Sequence, residues 1–231
     1  MNITPKTVLI TGISRGIGKA LAEKFLAENY NVIGTSQTGT VDFIHKNLKV
    51  FQLDLSIPES INNLCVILDR ENTKIDILIN NAGVVADEDE THVVIDKLRH
   101  TLEINLIGTI DLTEHILPLI QRNGHIVNTS SSAGSLTDSD FDTTSHYPFH
   151  YPAYKISKTA LNMYTRTLAM NLKHEKRDIT VSSVHPGWVR TDMGGSDAPM
   201  LPAEAAKYIY ELAISHPETG QFWFKGQKYP W

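Results

Sequence analysis

Thr7-Val8-Leu9-Ile10-Thr11-Gly12-Ile13-Ser14-Arg15-Gly16-Ile17-Gly18, followed by a helical pattern running to Ala27, decides the fold. Thr7–Ile10 is a short β-rich apolar run. Beyond it, Ile17, Leu21, Ala22, Phe25 and Leu26 recur at helical spacing. The three glycines between strand and helix permit a tight turn and let backbone approach a pyrophosphate. They also let the helix pack closely on a sheet. The helix N-terminus then offers unpaired N–H groups and the positive end of its dipole to phosphate. The spacing is Gly-x3-Gly-x-Gly. A Walker phosphate loop does not fit. Five residues separate Gly12 from Gly18, and Ala20 follows Lys19 where Ser or Thr would hold magnesium.

Outward from this stretch, apolar runs alternate with helical patterns. Asn31–Gly34 and Lys49–Leu53 read as strands, and Ser56 and Pro58 start a helix that runs to about Asp69. Ile75–Ile79 is a strand with almost no polar residue, which suits a parallel sheet covered on both faces. A helix is expected from Lys97 to Ile120 and a strand over His125–Thr129. A long helix over Ala153–His174 puts Leu161, Tyr164, Leu168 and Leu172 on one stripe. A strand over Ile179–Val184, a helix over Ala203–Ser215 and a last strand over Gln221–Phe224 complete the pattern. The order predicts an α/β fold: a single doubly wound parallel sheet of Rossmann type with helices on both faces, residues 1–231 forming one domain.

Composition narrows the classes. Hydrophobic residues are 41% of the 231 and charged residues 20%, a globular balance. Cys65 is the only cysteine, which excludes an internal disulfide framework and a zinc-thiolate cluster and fits a reducing, cytoplasmic setting. It lies on an apolar helix pattern and is expected to be inert core. A net charge of −5 argues against a broad grip on nucleic acid. No apolar run reaches the roughly 18–20 residues that span a bilayer, and Met1–Ile10 lacks the layout of a signal peptide. Neither nucleic acid nor a membrane is therefore expected as partner. His146 and His150 are four apart, but Pro148 lies between them and no third ligand is evident, so no metal site is expected.

Two further motifs carry chemistry. Asn80-Asn81-Ala82-Gly83 follows the apolar fourth strand, and small residues at a strand's carboxyl end let a ligand approach the backbone. Tyr154-Lys155-Ile156-Ser157-Lys158 opens the long helix. Residues i and i+4 share a helix face, so the Lys158 ammonium can sit beside the Tyr154 phenol. A free phenol has a pKa of about 10, and a nearby cation is expected to lower it. Tyr151-x3-Lys155 matches the same pattern, but Pro152 disfavours helical geometry at Tyr151, so its phenol is expected to lack the i, i+4 relation to Lys155.

Taken together, the motifs resemble the short-chain dehydrogenase/reductase family over nearly the whole chain. The ordered set is Thr11–Gly18, Asp54 after the third strand, Asn80–Gly83, Asn105 in Glu103-Ile104-Asn105-Leu106-Ile107-Gly108, Ser131 in Gly124-His125-Ile126-Val127-Asn128-Thr129-Ser130-Ser131, Tyr154 with Lys158, and Pro186-Gly187 with Thr191. The stretch Val184–Gly195 and the segment Gly220–Trp231 resemble the C-factor- and sniffer-like carbonyl reductase branch.

The resemblance implies roles. Tyr154 would be the general acid that protonates a carbonyl oxygen as hydride arrives. Lys158 would lower its pKa and bind the nicotinamide ribose. Ser131, the second of the serine pair after Asn-x, would hydrogen-bond the same oxygen, and Asn105 would hold a proton-relaying water. The cofactor would lie against Gly12, Ser14, Arg15, Gly16, Ile17, Gly18, Ser36, Asn81, Ala82, Gly83, Pro186, Gly187 and Val189. Asp54 would contact adenine through its side chain with Leu55 behind it, and Thr191 would bind the carboxamide. The implied function is hydride transfer between NADP(H) and a small-molecule carbonyl or alcohol. A dinucleotide-binding sensor and an NAD-dependent alcohol dehydrogenase are the alternatives.

NADP(H) is expected over NAD(H) because the second strand ends Gly34-Thr35-Ser36-Gln37, with no acid to hold a ribose diol, while Arg15 stands just before Gly16. The gap from Ser131 to Tyr154 is long for the family. It holds a loop, residues 134–152, in which His146, Tyr147 and Phe149 are expected to shape specificity, while residues 192–202 form a short lid over a fairly open site. Apolar surface on the helices at Lys97–Ile120 and Ala153–His174, with Leu106, Ile110, Ile116 and Leu117 on the first, points to a homodimer.

Overall fold

In the computed structural model, residues 5–137 and 150–231 are described. His146, Tyr147 and Phe149 lie outside them. The elements run β1 (Thr7–Ile10), α1 (Gly16–Ala27), β2 (Asn31–Ser36), β3 (Leu48–Gln52), α2 (Pro58–Arg70), β4 (Ile75–Asn80), α3 (Ile95–Leu102), α4 (Thr109–Ile116), β5 (Ile120–Thr129), α5 (Pro152–His174), β6 (Ile179–Val184), α6 (Pro202–Ile214), β7 (Gln221–Phe224) and β8 (Gln227–Lys228). The strand order is β3-β2-β1-β4-β5-β6-β7-β8. All pairings are parallel except the last, between β7 and β8. The order reverses between β1 and β4, which opens a crevice at the carboxyl ends of those strands.

Alternation along the strands explains the two covered faces. Leu9 of β1 and Leu78 of β4 point into one core, with Leu64 and Leu68 of α2, Leu112 and Ile116 of α4, and Leu168 and Leu172 of α5. Val8 and Ile10, Ile77 and Ile79 point the other way, against Leu21 and Phe25 of α1 and Ile209 and Leu212 of α6. β1 and β4 are apolar on both faces because helices cover both.

The structure corrects two expectations. The helix expected over Lys97–Ile120 is broken. A π-helical turn, Glu103–Gly108, separates α3 from α4, and a 3₁₀ turn, Leu117–Leu119, delivers the chain into β5 already at Ile120. Gly108 lies so close to α2's approach that a Cβ there would stand 1.9 Å from the Leu55 carbonyl oxygen. Pro118, without an N–H, cannot continue an α-helix. The sheet is also not wholly parallel. Lys225 and Gly226, both at positive φ (46° and 75°), make a tight turn that folds β8 back on β7.

Candidate active site

At the carboxyl end of β1, Thr11 is fully buried. Its hydroxyl oxygen accepts the N–H groups of Asn81 and Ala82, each at 2.9 Å, while Asn81 Nδ2 donates to the Thr11 carbonyl at 2.9 Å. The two small-residue motifs are thus one structure across the crevice. Gly12 has φ +72°, and a Cβ on Gly18 would stand 2.0 Å from the Gly12 carbonyl oxygen, so the turn needs bare backbone at both. Ile13 is buried over Gly34, Ile17 packs on the α1 face of the core, and Ser14 and Arg15 are exposed.

α1 carries no side-chain cap and no acidic residue in its first turn. Its leading N–H groups and positive dipole end therefore face the crevice, where an anion would be held. Gly16 lies beside Thr191, whose Cγ2 would be 3.2 Å from a Cβ at Gly16. A longer contact, Arg15 Nε to Asp192 Oδ2 at 3.1 Å, joins the same two segments on the surface.

At the end of β2, the buried Ser36 hydroxyl donates to the Thr40 carbonyl at 2.9 Å. Asp54 Oδ1 accepts from the Ser56 N–H at 2.9 Å and hydroxyl at 2.6 Å. Those bonds from Ser56 hold its carboxyl below the usual range. Its Oδ2 receives Gln37 Nε2 at 3.5 Å, and Leu55 behind it is buried.

Ser131, Tyr154 and Lys158 converge. Ser131 follows β5, and its hydroxyl lies beside the Tyr154 phenol and accepts the Ala133 N–H at 3.1 Å. Lys158, one turn after Tyr154 on α5, is buried. Its Nζ donates to the Thr129 carbonyl at 2.8 Å and sits 5.5 Å from the centre of the Tyr154 ring. Burial lowers the Lys158 ammonium to about 8 and pushes the Tyr154 phenol up to about 12, the Ser131 bond opposing the rise. This differs from the expected cation-lowered phenol. Lys158 lies over the ring rather than against the oxygen, so desolvation wins.

Asn105 sits on the π-helical turn, completely enclosed. Its Oδ1 accepts the Val84 N–H and its Nδ2 donates to the Val84 carbonyl, both at 2.8 Å, and Nδ2 also reaches Ser157 Oγ at 3.1 Å. A Cβ on Gly83 would lie 3.1 Å from Asn105 Oδ1 and 3.5 Å from Lys158 Nζ. Only bare backbone passes this point. The wide turn thus aims Asn105 at both the β4 loop and α5.

On the far side, Gly187 has φ +85° and follows Pro186, whose carbonyl accepts the Tyr208 hydroxyl. Val189 is buried and bridges to Met200, while the Gly194 N–H donates to Thr191 Oγ1 at 3.1 Å. Residues 188–200 thus close on themselves as a short flap.

Several residues of this site escaped the sequence reading. Asp87 is buried after β4, and its Oδ2 accepts the Ala153 N–H at 2.5 Å, capping α5 one residue before Tyr154. Beneath the sheet ends, Asn80 Nδ2 donates to Thr113 Oγ1 and Asn128 Oδ1, each at 2.8 Å, and Asn128 Nδ2 to Thr165 Oγ1 at 2.9 Å. These pairs are 33 or more residues apart in sequence, so no local pattern signals them.

Such a site belongs to a dinucleotide-binding α/β protein, with a serine, a tyrosine and a lysine gathered beside the switch point. A family model described as short chain dehydrogenase matches residues 6–201, and the chain belongs to that family of oxidoreductases. It is 31% identical over 84% of its length to 3-oxoacyl-[acyl-carrier-protein] reductase FabG of Vibrio cholerae, covering 77% of that protein. It is 29% identical to carbonyl reductase [NADPH] 1 of Mus musculus over the full length of both. Among solved structures, the NADPH-bound carbonyl reductase from chicken fatty liver superposes with a TM-score of 0.87 at 26% identity, covering 99% of this chain and all of that one. Carbonyl reductase Sniffer of D. melanogaster superposes with 0.83, also at 26% identity and with the same coverage. The expected fold and the expected branch both stand. Among the described residues, no helix is long and apolar enough to cross a membrane.

Proposed function

We propose that this oxidoreductase is an NADPH-dependent carbonyl reductase that reduces small-molecule aldehydes or ketones in the cytoplasm. The observation that carries the reading is the Ser131–Tyr154–Lys158 convergence beside the uncapped N-terminus of α1. The names of the relatives from mouse and chicken agree with it. Residues 1–231 are taken as one domain, with the substrate admitted beside residues 192–202; most of the loop at 134–152 lies outside the described residues.

The uncapped helix and the bare-backbone cradle fit a dinucleotide. Gly12, Ser14, Gly16, Ile17 and Gly18 would hold its pyrophosphate, with Asn81, Ala82 and Gly83 along its other side. Asp54 and Leu55 would lie at the adenine, Asp54 through the edge that Ser56 leaves open. Pro186, Gly187, Val189 and Thr191 would hold the nicotinamide end. The bound dinucleotide would supply the hydride, and the chain's own groups do the rest. A phenol raised to about 12 stays protonated at neutral pH and so gives its proton to the carbonyl oxygen only as negative charge develops there. Ser131 donates to the same oxygen. Lys158, fixed by the Thr129 carbonyl, binds the ribose and stabilises the phenolate once the proton has left. Asn105 holds the β4 loop against α5, beside the lysine from which protons would be resupplied through water.

Selectivity for the 2′-phosphate rests on Arg15 and Ser36. The Arg15–Asp192 pair is exposed and worth at most about 1 kcal/mol, so a phosphate can displace it. Ile116 and Leu117, expected at a dimer face, are buried in the core, but a homodimer through the π-helical turn and the outer face of α5 would cover exposed Ile107, Ile156, Met163 and Met170. Sedimentation at micromolar concentration should then give twice the chain mass, and a lone monomer would refute it.

The deciding experiment is dinucleotide oxidation against a panel of aldehydes, ketones, quinones and a 3-oxoacyl thioester. NADPH-dependent turnover of simple carbonyls is expected. Activity confined to the thioester would overturn the substrate class. Tight dinucleotide binding without turnover would make the protein a sensor, and equal use of NADH an alcohol dehydrogenase of the other cofactor class. Arg15→Ala should reduce the NADPH:NADH preference about tenfold, or about 1.4 kcal/mol.

A further inference from the structure

His185 is the first residue past β6, and its ring joins two parts of the site that the sequence keeps far apart. Its Nδ1 accepts the Ser132 N–H at 3.2 Å and the Gly187 N–H at 3.3 Å. Ser132 is the neighbour of Ser131. Gly187 is the turn on which the nicotinamide end would rest. Backbone N–H groups can only donate, so Nδ1 presents its lone pair to both and the ring's proton is on Nε2. The ring cannot swing away easily. It lies 4.6 Å from the centre of Phe224 at 32° and 5.4 Å from that of Tyr229 at 49°. The His185 backbone N–H donates to the Trp223 carbonyl at 2.9 Å, which extends the β6–β7 ladder by one rung. The same terminal segment reaches the loop before α5, where the Thr137 N–H donates to the Trp231 carbonyl at 2.9 Å.

We propose that His185 is a positioning residue: one acceptor atom, held by the aromatic shelf of Phe224 and Tyr229, sets the distance between the Ser131 hydroxyl and the Pro186–Gly187 turn. Ser131 must meet the carbonyl oxygen while the turn presents the hydride donor to the carbonyl carbon. The two segments leave neighbouring strands, β5 and β6, whose last rung is the Ser130 N–H to the Val184 carbonyl at 2.8 Å, and past that rung the ladder no longer sets their separation. A shared hydrogen-bond acceptor does. This inference rests on the reductase reading for its consequence, though not for its geometry.

Three substitutions test it. Asn places its side-chain oxygen at the position of Nδ1, Gln places it one bond further out, and Phe keeps the ring stack while removing the acceptor. A misplacement of about 1 Å at a reacting centre costs up to about a hundredfold in rate. His185→Phe and His185→Gln are expected to lower kcat about tenfold, with the dinucleotide Kd raised a few fold and carbonyl KM little changed. His185→Asn is expected to stay within about threefold of the wild type. Gln performing as well as Asn, or Asn failing as Phe does, overturns the proposal. If the Phe variant does not fold, the Asn and Gln pair still decides.

A second readout is independent of turnover. Long-range ¹H–¹⁵N spectra of the wild-type protein should show Nδ1 unprotonated. The Ser132 and Gly187 amide resonances should move in the Phe variant and return in the Asn variant. Unmoved amides overturn the brace. A wild type that reduces no carbonyl defeats the reductase reading, while the spectra continue to judge the brace alone.

Discussion

Two overlapping tyrosine–lysine pairs open α5, and they differ less in geometry than the sequence implies. Lys155 Nζ lies 5.5 Å from the centre of the Tyr151 ring, and Lys158 Nζ lies 5.5 Å from that of Tyr154. The backbone at Tyr151 is indeed not helical, with φ 20° and ψ 64°, as Pro152 dictates. Yet its carbonyl still accepts the Lys155 N–H at 3.1 Å, as a residue flanking a helix does, and the side chains meet anyway. Tyr151 thus lies outside the helix, as expected, yet its ring still meets the Lys155 ammonium. What separates the pairs is their surroundings. Lys158 is buried and bonded to the Thr129 carbonyl, and the Ser131 hydroxyl lies beside Tyr154. Lys155 is only partly buried, with its ammonium lowered by that burial. Spacing brings a phenol and an amine together. Only the strand ends of β5 set one such pair apart from the other.

The comparison breaks most visibly at Tyr154. A general acid contributes about 10²–10⁴-fold to rate, so Tyr154→Phe should lower kcat by at least about a hundredfold with dinucleotide affinity largely kept. If Tyr151→Phe gives that loss instead, the pairs have been assigned in reverse.

Lys158 sharpens the contrast through pH. Its ammonium falls from 10.5 to about 8 on folding, so between those values the unfolded chain binds more protons than the folded one. Folding stability should therefore rise with pH across that window, by up to about 3 kcal/mol, as the cost of a buried charge disappears. Lys158→Met should flatten that rise in denaturant titrations while impairing both turnover and dinucleotide affinity. An unchanged pH profile in the variant would mean that the charge is not desolvated as the structure implies.

Asp87 tests what holds Tyr154 inside the helix while Tyr151 stays outside. Asp87→Ala leaves the Ala153 N–H without its buried acceptor, and should cost about 1–3 kcal/mol of stability. Asp87→Asn, which retains an acceptor oxygen, should recover part of it in thermal melts. The smallest effect is expected at Tyr151. Tyr151→Phe should keep kcat within about threefold of the wild type, with at most a change in substrate KM.

Much of this was legible along the chain. The β-α rhythm, the glycine turn and the Tyr154–Lys158 pair occur at short, local spacings, and local periodicity is set by backbone geometry. Phe25, at helical spacing from Leu21, indeed lies in the core with it. The break at Glu103–Gly108 was not legible, because a π-helical turn adds a single residue to an otherwise helical pattern, and the backbone of Leu55 that comes close to Gly108 is far off in sequence. Nor was β8, two residues long and defined by its turn.

By itself, then, the sequence determined the fold class, the family and the candidate site residues, since each motif is encoded within a few turns or one strand. Tertiary structure alone decided their state. Burial set Tyr154 near 12 and Lys158 near 8, because desolvation depends on everything packed around a group and not on its neighbours in sequence. It also decided the long-range partners. Thr129 for Lys158, Asp87 for Ala153, and His185 for Ser132 and Gly187 are fixed where strands and loops distant in the chain converge at one end of the sheet.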